Sequence, residues 1–72
     1  MELTTAEKIR IIMKRRKMTL TQLAALTGMT RQNLCNKLTR NDFPESELIA
    51  IGNALECTFI PVFQLDDTKE KI

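Results

Sequence analysis

Arg31, Gln32, Asn33, Asn36 and Lys37 stand together on one short stretch, TRQNLCNKLTR. Each ends in a head with several N–H donors, and the glutamine and asparagines add a carbonyl acceptor. Such a cluster suits a partner rich in hydrogen-bonding edges or negative charge. On composition alone a solvated helix face is the better account of it. Catalytic chemistry is poorly served by the rest of the chain. There is no histidine, and Cys35 and Cys57 are the only cysteines and lie far apart. Neither a zinc site nor a Cys/His nucleophile can be assembled in the usual way, and no phosphate-cradling loop is present. The expectation is a protein with no enzymatic activity, no cofactor, no metal and no small-molecule ligand.

The charge is divided along the chain. Residues 1–40 carry nine basic groups against Glu2 and Glu7, whereas residues 41–72 carry Lys69 and Lys71 against seven acids. One half can face a polyanion while the other repels it. Charged helices also simply point their charges at water, so charge alone does not choose. At 72 residues the chain is one domain, and it buries only about 60% of its unfolded surface, so a partner copy is a natural source of further stability. With 43% hydrophobic and 28% charged residues it has the composition of a globular protein. No run approaches the roughly 18 apolar residues of a membrane span, and the N-terminus lacks a signal peptide's apolar core. Two reduced thiols in a cytoplasmic protein are expected.

Four helical segments must position the donor cluster. Thr4 and Glu7 form a capping-box pattern ahead of Ala6, Ile9, Ile12 and Met13, which recur at helical spacing; this predicts a first helix over about residues 5–17. Thr19 and Gln22 repeat the pattern ahead of Leu23, Ala24 and Leu26, and Gly28 suits the left-handed position that ends a helix. Thr30 offers an N-cap for a third helix, with Leu34 and Leu38 as its buried seam and Asn41 and Asp42 closing it. Pro44 opens a fourth, ESELIAIGNALE, with Leu48, Ile51, Gly52 and Leu55 on one face. Gly52 costs about 1 kcal/mol relative to alanine in a helix interior, which points to another backbone passing close.

From Cys57 the pattern changes. CTFIPVFQL is rich in β-branched and aromatic residues and predicts one β-strand over residues 57–66, followed by a frayed tail over 67–72. Pro61 cannot donate a ladder hydrogen bond, so it belongs at an edge or faces away from a partner. With no second strand in sight, the nearest partner is the same segment of another copy. Such a pairing would bury Phe59 and Phe63 or Ile60 and Val62. An extended tail folded back over its own helices would shield the same residues.

Leu23 and Ala24, then Gly28 and Met29, then Thr30 and Leu34, followed by Leu48, Ile51 and Leu55, form a pattern that resembles the helix-turn-helix of the phage repressor and Cro family, also called the Xre family. The likeness runs from about Met18 through Leu55. Together with the segments read above, the expectation is a mainly α fold: a compact bundle of four to five helices over residues 1–56 containing a helix-turn-helix, with one C-terminal β-strand as dimerisation element; the resemblance itself implies the helical bundle. It also implies that the third helix lies in the DNA major groove while the second sits across it. Glutamine and asparagine can pair bidentately with adenine, and arginine or lysine with guanine. Carried over, the family's base-reading places fall on Arg31, Gln32 and Asn36, with Asn33 and Lys37 close enough to assist. Its backbone-contacting places fall on Thr19, Thr21, Thr30, Arg40 and Asn41, and Arg15, Arg16 and Lys17 could add charge at the rim. The chain departs from the family in three places: Leu20 stands where glutamine is common, Glu56 where a glycine commonly ends the fourth helix, and Lys37 where an apolar residue is common.

The function so implied is a repressor-like transcriptional regulator of bacterial or phage type, a homodimer reading a two-fold operator in double-stranded DNA. A protein-interaction module built on the same scaffold, binding a regulator or toxin through its strand or acidic half, is the competing expectation.

Overall fold

A computed structural model describes residues 2–72. Four helices follow one another: α1 (Thr5–Arg15), α2 (Leu20–Thr27), α3 (Arg31–Arg40) and α4 (Glu45–Ala54). The helix starts follow from the sequence. Thr4 Oγ1 accepts the Glu7 N–H at 3.1 Å and Glu7 Oε1 accepts the Thr4 N–H at 2.8 Å; Thr19 and Gln22 make the same reciprocal pair at 3.1 and 2.9 Å. Two orphan N–H groups are satisfied at each start. The Thr4 backbone N–H, and then its hydroxyl, hold the Glu7 carboxyl below the usual glutamate value. The support this cap gives is therefore complete above that usual value and is lost as pH falls through the lowered one.

The helix ends share one solution that the residue types disguise. Lys17, Gly28, Asn41 and Glu56 follow the four helices with φ of 54°, 74°, 54° and 58°. At each, the next residue's N–H reaches back to a carbonyl of the last turn: Met18 to Met13, Met29 to Ala24, Asp42 to Lys37 and Cys57 to Gly52. Only one of the four is the glycine that this left-handed position favours. The absence of glycine after the fourth helix thus leaves the cap intact, at a cost. We expect Glu56→Gly to stabilise the fold by about 1 kcal/mol, because it removes both the Cβ crowding and an acid at the negative end of α4. Glu56→Lys should recover only the charge share. Urea melts at fixed protein concentration measure both, and equal gains from the two would show that backbone strain is not the cause.

The core joins all four helices. Leu23, Leu34, Ile51 and Leu55 are fully buried, with Ala6, Ile9 and Met13 of α1 closing one side and Ala24 and Leu38 completing the cluster. Helix α2 packs against both α3 and α4. Leu26, which marks the second helix together with Leu23 and Ala24, is 62% exposed. It lies about 110° around the helix from the midpoint of Leu23 and Ala24, and that midpoint faces the neighbouring helices. Gly52 behaves as its type suggested: a Cβ there would sit 3.1 Å from the Cys57 carbonyl oxygen and 3.4 Å from the Phe59 nitrogen, so the chain leaving α4 crosses directly over it.

That chain then departs from the body. No regular strand forms over residues 57–66; among the described residues the only β pairing is a single antiparallel bridge between Gln64 and Lys71. The tail expected to fray instead turns back. Phe63 and Ile72 exchange both backbone hydrogen bonds, at 3.0 and 2.8 Å, and the Leu65 N–H donates to the Glu70 carbonyl at 2.8 Å. The β-forming residues of 57–65 were legible, whereas the polar tail DDTKEKI gave no strand signal and so concealed their partner. Nor does the segment fold back over the helices beyond Phe59, since residues 60–72 are all exposed. The radius of gyration is 13.4 Å, against about 11 Å for a compact chain of this length. The C-terminal residues form a projecting arm.

Candidate nucleic-acid interface

The donor cluster occupies the outward side of α3. Leu34 and Leu38 anchor the helix in the core, and this leaves Arg31, Gln32 and Asn33 exposed at its start with Asn36 half-buried one turn on. Thr30 caps the helix by accepting the Asn33 N–H at 3.1 Å. The first-turn amides of Arg31 and Gln32 lie ahead of the first intrahelical bond, as do those of Leu20 and Thr21 at the start of α2. Each of these two helix starts keeps unspent N–H groups, which anionic phosphates find favourable. No acid lies anywhere in residues 19–40, which carry Arg31, Lys37 and Arg40.

Several of the predicted residues have further duties. Lys37 turns toward α4 and forms an ion pair with Glu47, Nζ lying 2.6 and 2.7 Å from the two carboxylate oxygens. This sets the facing of the residue that departs from the family pattern: the cation bridges α3 and α4, and its charge is largely neutralised. Asn41, beyond its left-handed cap, accepts the Ala6 N–H at 2.8 Å through Oδ1 and so satisfies a first-turn amide of α1. Arg16 donates through Nε and a terminal nitrogen to the Leu55 and Glu56 carbonyls at 3.0 and 3.1 Å. It thereby caps α4 with a cation where the helix dipole favours one. Arg15 and Lys17 stay exposed, as do Thr19, Thr21, Thr30 and Arg40.

One feature of the face escaped the reading of residue types. Gln32 Nε2 donates to Asn36 Oδ1 at 3.0 Å. The spacing i, i+4 between two amides on a helix surface is the signal that could have exposed it.

Residues 8–60 match the Cro/C1-type helix-turn-helix DNA-binding domain. The chain belongs to that family. No curated protein and no solved structure matches it. In the Cro/C1-type frame α2, the Gly28 turn and α3 are the helix-turn-helix, and the protein is a DNA-binding regulator with double-stranded DNA as its partner. The family is not generally enzymatic. A groove of about 240 Å³ between α1 and α4 is lined mainly by Ile9, Ile12, Leu48, Ile51 and Phe59, with Lys8 its one ionisable amine. Among the described residues no helix is long and apolar enough to cross a membrane, and no three metal-ligating side chains gather.

Proposed function

We propose that the protein is a sequence-specific, repressor-like regulator that acts as a homodimer on a two-fold operator. Helix α3 enters the major groove, with Arg31, Gln32, Asn33 and Asn36 toward base edges. Thr19, Thr21, Thr30 and Arg40, with the amides at the starts of α2 and α3, hold the backbone phosphates. Lys37 and Asn41 stand at the rim of this surface, where the ion pair with Glu47 and the cap on Ala6 fix their geometry. The observation that carries the reading is the acid-free face of α3 in a Cro/C1-type domain, where neutral amides and the guanidinium groups of Arg31 and Arg40 replace a merely solvated mix of charges. Phosphate contacts position such a protein, and base contacts specify its site.

The dimer reading rests on the arm. Phe63 and Leu65 spend their backbone groups on the tail, so those of Ile60, Val62 and Gln64 point to the opposite edge, which is unpaired among the described residues. Pro61 shares parity with Phe63, so its missing N–H costs that open edge nothing. A second copy aligned antiparallel with Val62 opposite Val62 satisfies the edge by symmetry. It also covers apolar side chains now in water, among them Val62 and the 83% exposed Phe63.

Selection from a pool of random duplex DNA, followed by sequencing at two salt concentrations, tests the proposal. The expected product is an inverted repeat with half-sites about 34 Å apart, bound more weakly at the higher salt. Recovery of no motif would overturn base reading by α3.

A further inference from the structure

We infer that Gln32 and Asn36 act as one reading unit: Asn36 is a positioning residue whose carbonyl fixes the Gln32 amide so that it selects adenine at a single operator position. The inference rests on α3 lying in the major groove, as proposed above.

A side-chain amide offers two N–H donors and one carbonyl oxygen. Free in solution, an exposed glutamine turns its amide either way and can offer two donors to guanine or a donor and an acceptor to adenine. In this protein one Gln32 Nε2 hydrogen is already spent on Asn36 Oδ1, at 3.0 Å. What Gln32 presents outward is its remaining Nε2 hydrogen together with Oε1. That donor–acceptor pair complements adenine, whose major-groove edge has N7 accepting and N6 donating. Guanine sets two acceptors, N7 and O6, against the same pair, and one of them would face Oε1. The surroundings leave the arrangement undisturbed. Asn36 is half-buried while Gln32 is exposed, so the inner amide is the fixed member and the outer one the reader. Lys37, the cation that could compete for the Asn36 oxygen, is held by Glu47. The Asn36 amide nitrogen keeps its donors for a neighbouring acceptor.

The experiment repeats the duplex selection with the full chain and with Gln32→Ala, Asn36→Ala, Asn36→Asp and the double alanine variant, each checked for an unchanged melt. The parent should show one column with adenine favoured over guanine by about tenfold or more. Gln32→Ala and Asn36→Ala should both lose the adenine preference in that same column, and the double variant should lose no more than either single one. Asn36→Asp keeps the acceptor and removes the donors. It should keep the adenine column while binding all sites more weakly through repulsion from the phosphates. A purely structural role for Asn36 would not make the column survive in the aspartate variant alone. Loss of two different columns, with additive effects in the double variant, would overturn the coupling and leave groove binding by α3 standing. A parent motif indifferent to every substitution, or no motif at all, would overturn groove reading and the coupling together.

Discussion

Leu34→Ala should cost about 3 kcal/mol of folding stability, within the range of about 2–5 for buried leucines whose cavity does not collapse. A domain of 72 residues has roughly 4–11 kcal/mol in all. One side chain therefore holds a large share of the fold. Leu34 is fully buried and sits on the inner side of α3, and α2 packs against that helix, so truncation loosens α3 from its support. In urea the midpoint should fall by about 2 M or the variant should be unfolded from the start. Leu26→Ala, the matched deletion at a 62% exposed position, should change stability by no more than about 0.5 kcal/mol. Equal shifts for the two leucines would mean that the core is not where these contacts place it.

That pair of leucines also shows where sequence reasoning reaches. Both are leucines on short helices of apolar periodicity, and only Leu34 is inside. Periodicity finds the face of a helix well when the helix is long. Over the eight residues of α2, the apolar residues Leu20, Leu23, Ala24, Ala25 and Leu26 spread too widely around the axis to mark one side. Helix starts were readable because Thr-x-x-Glu and Thr-x-x-Gln cap locally, within three residues. Helix ends were readable at Gly28 and at Asn41, the residue types that tolerate the left-handed position. Lys17 and Glu56 take the same left-handed backbone without a residue type that announces it.

The candidate site divides in the same way. Its donors could be named from the chain because exposure on α3 follows from the Leu34 and Leu38 seam. Contacts across large separations could not: Asn41 to Ala6, Arg16 to Leu55 and Glu56, and Lys37 to Glu47 join elements whose mutual placement no local pattern encodes. They matter to the site because they remove Lys37 from the free cations and fix α1 and α4 around the helix-turn-helix. The C-terminal arm is an intermediate case. Residue types pointed to a regular strand where only a single bridge forms, and the polar tail hid the segment to which it bonds.

The arm yields the second large effect, through Val62→Pro. The substitution deletes one N–H from the open edge and leaves the Phe63–Ile72 and Leu65–Glu70 hydrogen bonds their donors and acceptors. In a pairing centred on Val62 it removes a donor from each copy at the symmetry axis, so two bonds vanish at the centre of the interface. Light scattering should find a monomer at concentrations where the parent is a dimer, with helical circular dichroism unchanged. Binding to a full operator should fall by about 10²–10³, because two linked half-sites gain that order of affinity from effective concentration alone, while binding to an isolated half-site stays as it was. Pro61→Ala supplies the contrasting case: it adds an N–H on the side facing the tail, away from the open edge, and should leave the dimer intact. A Val62→Pro protein that remains dimeric and keeps full operator affinity would move the interface off the arm, whereas loss of half-site binding as well would mean that the arm supports the helices themselves.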